Sequence, residues 1–382
     1  MSDEDYVRGR IALMRGRAKF VRYSHSSEFI DPAAELGEGF HFVVLYDEKI
    51  DSNVISGPRG PIVIQNTYLS SFAYNLFLCW LLRPEHFAER AAPEPEVLLA
   101  HNFKKFFAEQ LIHGHDGVFS RAIFLETLLF EQVCMVPVFE AKSRIPTLGR
   151  RADLAASLMS SALSFHELGH YLLKRDPNLW DAHVQQHPAL EAVDRDVVNA
   201  GYTRKFVEEF RCDALSVISC LQQYGEQESR EFCLRAISFA FAAFAVLSSL
   251  AKSAESTSEN HRRVPDEVDL RSIEKVHREF GYSLGIDEAL VERARLVIRL
   301  CDEMMRDGGG SLFADGGSFP LPPTIVDDLL GYVDRVMESD DRNAREMSLL
   351  VAEALHEHPR GLEFLYLRSK TFSGADLPGR VE

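Results

Sequence analysis

Two spacings of apolar residues alternate along the chain. Phe40 to Tyr46 (FHFVVLY) and Pro61 to Thr67 (PIVIQNT) are dense in β-branched and aromatic residues, and SGPRGP between them supplies turn chemistry. Two neighbouring strands are predicted. After Ser70 the spacing becomes helical, until RPEHFAERAAPEPE, from Arg83 to Glu96, interrupts it as a Pro- and Glu-rich connector. Helical segments such as FKKFFAEQLI and FLETLLFEQV fill Val97 to Glu140, and Ile145-Pro146 breaks them. In RADLAASLMSSALSFHELGHYLLKR the residues Leu154, Leu158, Ala162, Phe165, Gly169 and Leu172 recur every three or four positions. That spacing predicts one long helix, stopping before Asp176-Pro177.

A further helix is predicted from Thr203 to the glycine that ends TRKFVEEFRCDALSVISCLQQYG. Ala236 to Ala251 (AISFAFAAFAVLSSLA) is apolar all round, the pattern of an interior helix. Helices continue from Asp266 to Asp307, GGGSLFADGGSFPLPP reads as a flexible linker, and Thr324 to about His358 closes the chain as a helical segment. No internal repeat is visible. The expected fold is α+β, mostly α, divided into a β-rich part (1–82), a helical insertion (83–150), a helical main part (151–306), a linker (307–323) and a C-terminal helical segment (324–382).

Composition narrows the function. Of 382 residues 42 are basic and 58 acidic, a formal net charge of -16, so no cationic surplus exists to displace counterions from nucleic acid. The locally basic stretch from Arg8 to Arg22 interleaves Ile11, Leu13 and Phe20 and reads as the solvated face of a helix or strand. The six cysteines form no CxxC pair, as expected of reduced thiols in an intracellular protein rather than of metal ligands. MSDEDYVRGR lacks the apolar core of a signal peptide, and a cytoplasmic protein is expected. Residues 236–251 fall short of the roughly 20 apolar residues of a membrane span. Membrane association through that helix is the alternative.

Candidate chemistry lies in SFHELGHYLL, Ser164 to Leu173. His166 and His170 are four apart, so on a helix both imidazoles point from one face at one ion. Glu167, one residue round, reaches a metal-bound water without ligating the metal. Two neutral nitrogen donors and a base for a water acidified by zinc make up the hydrolytic HExxH pattern. The uncharged flanks Phe165, Leu168, Gly169 and Tyr171 are those of a buried-type helix. A structural helix carrying two histidines spells the same letters, so a third ligand is needed. The extended pattern would use Asp176, but its turn glycine is replaced by Leu173, and that form is set aside. In EEFRCDALS, Glu209 and Asp213 are four apart and share a helix face with Phe206, Phe210 and Val217. Two acids against an apolar stripe need a cation or a donor, which zinc and a ligand histidine would supply.

HELGH at 166–170 followed by the ExxxD of Glu209 and Asp213 resembles the gluzincin metallopeptidases. The resemblance implies a zincin-like core with the small sheet beside the active helix, zinc held by His166, His170 and Glu209, and Asp213 bonded to the far nitrogen of His166. Glu208 competes with Glu209 for the ligand role. The lead-in SNVISGPRGPIVIQNTYLSSF is similar to the strand and helix of HtpX-type peptidases, and ENHRRVPDEVDLR is similar to their later His-Pro and Arg element, with the proline here at Pro265. Lit-type bacterial peptidases, with a mid-chain HExxH, are also similar. The implied activity is hydrolysis of a protein or peptide substrate, with Glu167 as general base. An oxyanion donor besides zinc is expected from His261 or Arg271, with Tyr202 a third candidate. HVQQH (His183, His187) lacks the glutamate and is expected on the surface. IHGHDG (His113, His115) reads as a loop, and HEHP near His356 as solvated.

Overall fold

The computed structural model describes residues 2–14, 19–26, 40–46, 53–55, 60–87, 94–114, 120, 123–124, 127–128, 135–225, 228–261, 284–313 and 321–338. In chain order its elements are α1 (Asp3–Met14), β1 (Lys19–Ser26), β2 (Phe40–Tyr46), β3 (Asn53–Ile55), β4 (Ile62–Asn66), α2 (Thr67–Leu81), α3 (Pro95–Gly114), α4 (Val136–Arg144), α5 (Pro146–Arg175), α6 (Leu179–Gln186), α7 (Pro188–Asn199), α8 (Arg204–Tyr224), α9 (Arg230–His261), α10 (Glu288–Asp307) and α11 (Ile325–Glu338). The protein is mostly helical with one small sheet, α+β with α predominant.

The sheet runs β1-β2-β4-β3, with β2 and β4 parallel and the outer pairs antiparallel. Its two faces follow from the period-two alternation of strand side chains. Val43 and Leu45 of β2 and Ile62 and Ile64 of β4 pack with Val7 and Ile11, one helical turn apart on α1. Between them, Val63 packs with Leu168 and Leu172 of α5, joined by Phe40, Phe42 and Val54. Burial of leucines such as these is worth roughly 1.5–3 kcal/mol each. That packing lays the HELGH helix along one face of the sheet.

Helix α5 begins on Pro146, whose missing N–H costs nothing in a first turn, earlier than the predicted Arg151. It ends where expected, because Pro177 pushes Asp176 out of helical geometry (φ -126°, ψ 96°). The Asp176 carboxylate accepts the N–H of Asn178 at 2.9 Å, a local turn bond. Helix α8 starts as predicted, Thr203 Oγ1 capping the N–H of Phe206 at 3.2 Å. The preceding turn needs Gly201, at φ 73°, where a side chain would be strained.

The chain forms two compact units, each from three stretches. The first holds Met1–Leu81, Ile145–Val246 and Asp287–Leu329; the second holds Leu82–Arg144, Leu247–Ile286 and Leu330–Glu382. The expected insertion 83–150 falls mostly in the second. The expected main part 151–306 is divided, because the 32-residue α9 spans about 48 Å and serves both units. Within the second unit, Arg144 donates to the carbonyl of His86 at 3.0 Å and Gly285 N–H to Ser253 Oγ at 2.6 Å.

The basic stretch, expected as a helix or strand face, runs from α1 into β1, which pairs along β2 with a register shift between Phe20 and Arg22. Two sequence expectations are corrected. His183 is 5% exposed, a buried residue of α6 and not a surface one. The described ends of the expected linker are packed, with Leu312 and Leu321 buried and Leu312 N–H bonded to Asp302 at 2.9 Å. Of the helices expected from Asp266 to Asp307, α10 starts at Glu288, and residues 262–283 lie outside the described residues, as does the chain after Glu338. The apolar helix is long and apolar enough to cross a membrane by length and composition, and 94% of that window is buried in the protein. Phe239, inside it, stacks on Trp80 at 4.4 Å.

Candidate metal centre

Helices α5 and α8 approach closely because Gly169 has no side chain. A Cβ there would lie 3.2 Å from Cys212 Cα, tighter than an ordinary contact. The close approach sets the four-residue repeat of α8, Glu209 and Asp213, against that of α5, His166 and His170.

His166 is buried and His170 half-buried, their rings meeting edge to face at 4.9 Å between centroids. The Glu209 carboxylate sits between them, Oε2 at 3.4 Å from His166 Nε2 and Oε1 at 3.7 Å from His170 Nε2. On the far side, Asp213 Oδ1 lies 2.7 Å from His166 Nδ1, the short separation of a charge-assisted contact. Glu208, which competed for the ligand role, is half exposed and lies 3.6 Å from His170 Nδ1, the nitrogen facing away from Glu209. The structure thus brings together His166, His170, Glu209 and Asp213. Glu167 is half-buried between the two histidines on α5.

One participant escaped the sequence reading. Arg293 of α10, 84 residues beyond Glu209, donates Nη1–H to Glu209 Oε2 at 2.9 Å. Its Nε and Nη2 donate to Asp213 Oδ2 and Oδ1 at 2.7 and 2.8 Å, a bidentate fork on a carboxylate 1% exposed. The signal was its position: Arg293 shares a helix face with the buried Val297, Leu300 and Met304, and an arginine on an apolar face needs a buried anion. Helix α10 is tied down near it by Tyr202, whose hydroxyl donates to Glu292 Oε1 at 2.7 Å, and by Arg295 on Asp327.

Of the expected oxyanion donors, Tyr202 alone has a described side chain. Tyr202 is committed to Glu292, and that bond raises its pKa. His261 is the last residue of α9 and its side chain lies outside the described residues, as does Arg271. Of the remaining histidines, His113 is exposed at the end of α3, and His115 and His356 lie outside the described residues.

His166, His170 and Glu209 each present a donor atom, all within 4.8 Å of one another, and they are the one such group of His, Cys, Asp or Glu among the described residues. No known protein family, curated protein or solved structure matches the chain. The cluster must be weighed on its own chemistry. Two imidazoles and a carboxylate are a donor set that zinc accepts, and bonds of about 2.0 Å in a tetrahedron place donors about 3.3 Å apart. Glu209 comes near that edge through a different oxygen for each histidine, Oε2 at 3.4 Å from His166 and Oε1 at 3.7 Å from His170, and one donor atom from each residue lies within 4.8 Å of the others. The residues fit the ion.

Without a metal, the charges hold one another. Burial works against protonation of His166, but the Asp213 carboxylate and the bond to Glu209 outweigh it and raise the pKa to about 9. Glu209 is held well below the usual carboxylate range by the His166 and His170 imidazoles beside it, against a smaller opposing effect of burial. Burial would raise Asp213, and His166 and Arg293 together draw it down instead. His166 therefore stabilises the metal-free fold fully below an unfolded pKa of about 6.5, and that stabilisation is lost as pH rises through about 9. Chelator-treated protein is expected to lose up to about 3 kcal/mol of unfolding free energy between about pH 6.5 and 9. Urea titrations across that range measure it. A flat profile would mean that these carboxylates do not hold the imidazolium.

Proposed function

We propose that this protein is a zinc-dependent peptidase of the gluzincin type. The observation that carries the reading is the convergence of His166, His170 and Glu209 donor atoms within 4.8 Å, with Glu167 adjacent on the same helix. The ion, when bound, supplies Lewis acidity toward a scissile carbonyl and a water acidic enough to ionise near neutral pH. His166 and His170 offer Nε2 and Glu209 a carboxylate oxygen as ligands. Asp213, at 2.7 Å from His166 Nδ1, keeps a proton on that nitrogen and so leaves Nε2 free to ligate. Glu167 accepts the proton of the attacking water and delivers it to the leaving amine as the peptide bond breaks. The zincin-like arrangement, with the sheet beside the active helix, is part of this proposal. It is supported by the packing of α5 on β3 and β4.

One observation favours a second reading. Arg293 already hydrogen-bonds both carboxylates, as in a non-catalytic protein stabilised by an internal ion network or a structural metal. Metal analysis of the purified protein separates the peptidase from the metal-free ion network, and bound zinc without zinc-dependent peptide hydrolysis would mark a structural metal. The peptidase reading expects about one zinc per chain, lost in His166→Ala and Glu209→Ala and kept in Glu208→Ala. Protein that takes up no added zinc would leave the ion-network reading in place.

A further inference from the structure

Arg293 meets Glu209 and Asp213 with three N–H groups aimed at three of their four carboxylate oxygens. The fourth, Glu209 Oε1, lies 3.7 Å from His170 Nε2, while Oε2 accepts from Arg293 and lies 3.4 Å from His166 Nε2. Resting on the peptidase reading, we propose that Arg293 is the positioning residue that divides the Glu209 carboxylate, holding Oε2 for itself so that a divalent metal is met through Oε1 alone.

An oxygen that accepts a hydrogen bond from a guanidinium is a poorer donor to a second cation, because the two positive charges repel across it. A carboxylate with both oxygens free can chelate a metal and fill an extra coordination position. Catalytic zinc sites need that position for water and substrate. The fork on Asp213 adds a second constraint. Because the same planar group grips both acids, Glu209 and Asp213 cannot shift independently along α8, and the oxygen facing His166 Nδ1 stays in register with the ligand oxygen. Lysine carries the charge but offers no planar fork, so it cannot reproduce the arrangement. The helix that carries Arg293 is docked by Tyr202 on Glu292 and by Arg299 on Asp196, so the guanidinium is placed by packing and not by the acids alone.

The test uses full-length wild-type, Arg293→Lys and Arg293→Met proteins, loaded separately with zinc and with cobalt(II). Zinc affinity is read by competition with a chromophoric chelator. Coordination number is read from the visible absorption of the cobalt form, which weakens as a fifth ligand is added. The expected result is wild-type protein with four-coordinate cobalt, variants with the weaker absorption of a five-coordinate ion, and zinc bound about 10-fold or more tightly in Arg293→Met, which loses the opposing charge. Arg293→Lys carries the test if Arg293→Met does not fold. Unchanged affinity and unchanged cobalt spectra in the variants would overturn the proposal while leaving the metal site intact. Wild-type protein that binds neither ion would overturn the metal reading itself and reduce Arg293 to an ion-pair partner.

Discussion

A Glu167→Gln protein is expected to keep its zinc and to lose about 10²–10⁴-fold in the rate of peptide hydrolysis, the usual contribution of a positioned general base. Glutamine matches glutamate in shape and still accepts a hydrogen bond, but it cannot take a proton from water near neutral pH. The proposed ligands His166, His170 and Glu209 are untouched by the change, so metal content and folded stability are expected to stay at wild-type values. Metal analysis beside cleavage of a denatured protein substrate, with and without chelator, gives both numbers. Undiminished zinc-dependent cleavage would remove Glu167 from the role of base.

Asp213→Ala is expected to cost about 3–5 kcal/mol of folding stability in chelator-treated protein, as breaking a buried ion pair does. The substitution leaves Arg293, whose side chain is 14% exposed, with one of its three hydrogen bonds, and leaves His166 Nδ1 facing a void. Chemical denaturation reads the loss directly. A cost under about 1 kcal/mol would mean that water already solvates the pair, and the account of Asp213 as a buried anchor would fail.

What the sequence disclosed follows the range of its signals. His166, Glu167 and His170 were legible because a single helical turn relates them, and Glu209 with Asp213 because two acids broke an apolar stripe on α8. Strand β2 showed itself through alternation. Strand β1 did not, because Lys19, Arg22 and His25 give it the polar look of an edge strand, and positively charged edges resist further pairing. Strand β3, at three residues, is too short to carry a period. Arg293 was missed for a different reason: its partners are supplied by another helix far along the chain, and only folding sets it against them. His183 was misplaced because the polar residues of HVQQH hid the helix face that Leu179, Trp180 and His183 bury.

HExxH is written with two open letters, and here neither is open. Leu168 faces the sheet and packs on Val63, while Gly169 lets Cys212 come close enough for α8 to reach the histidines. The pentapeptide therefore carries five demands, three chemical and two steric. A side chain at position 169 would press on Cys212 and push α8 away, carrying Glu209 out of reach of the histidines.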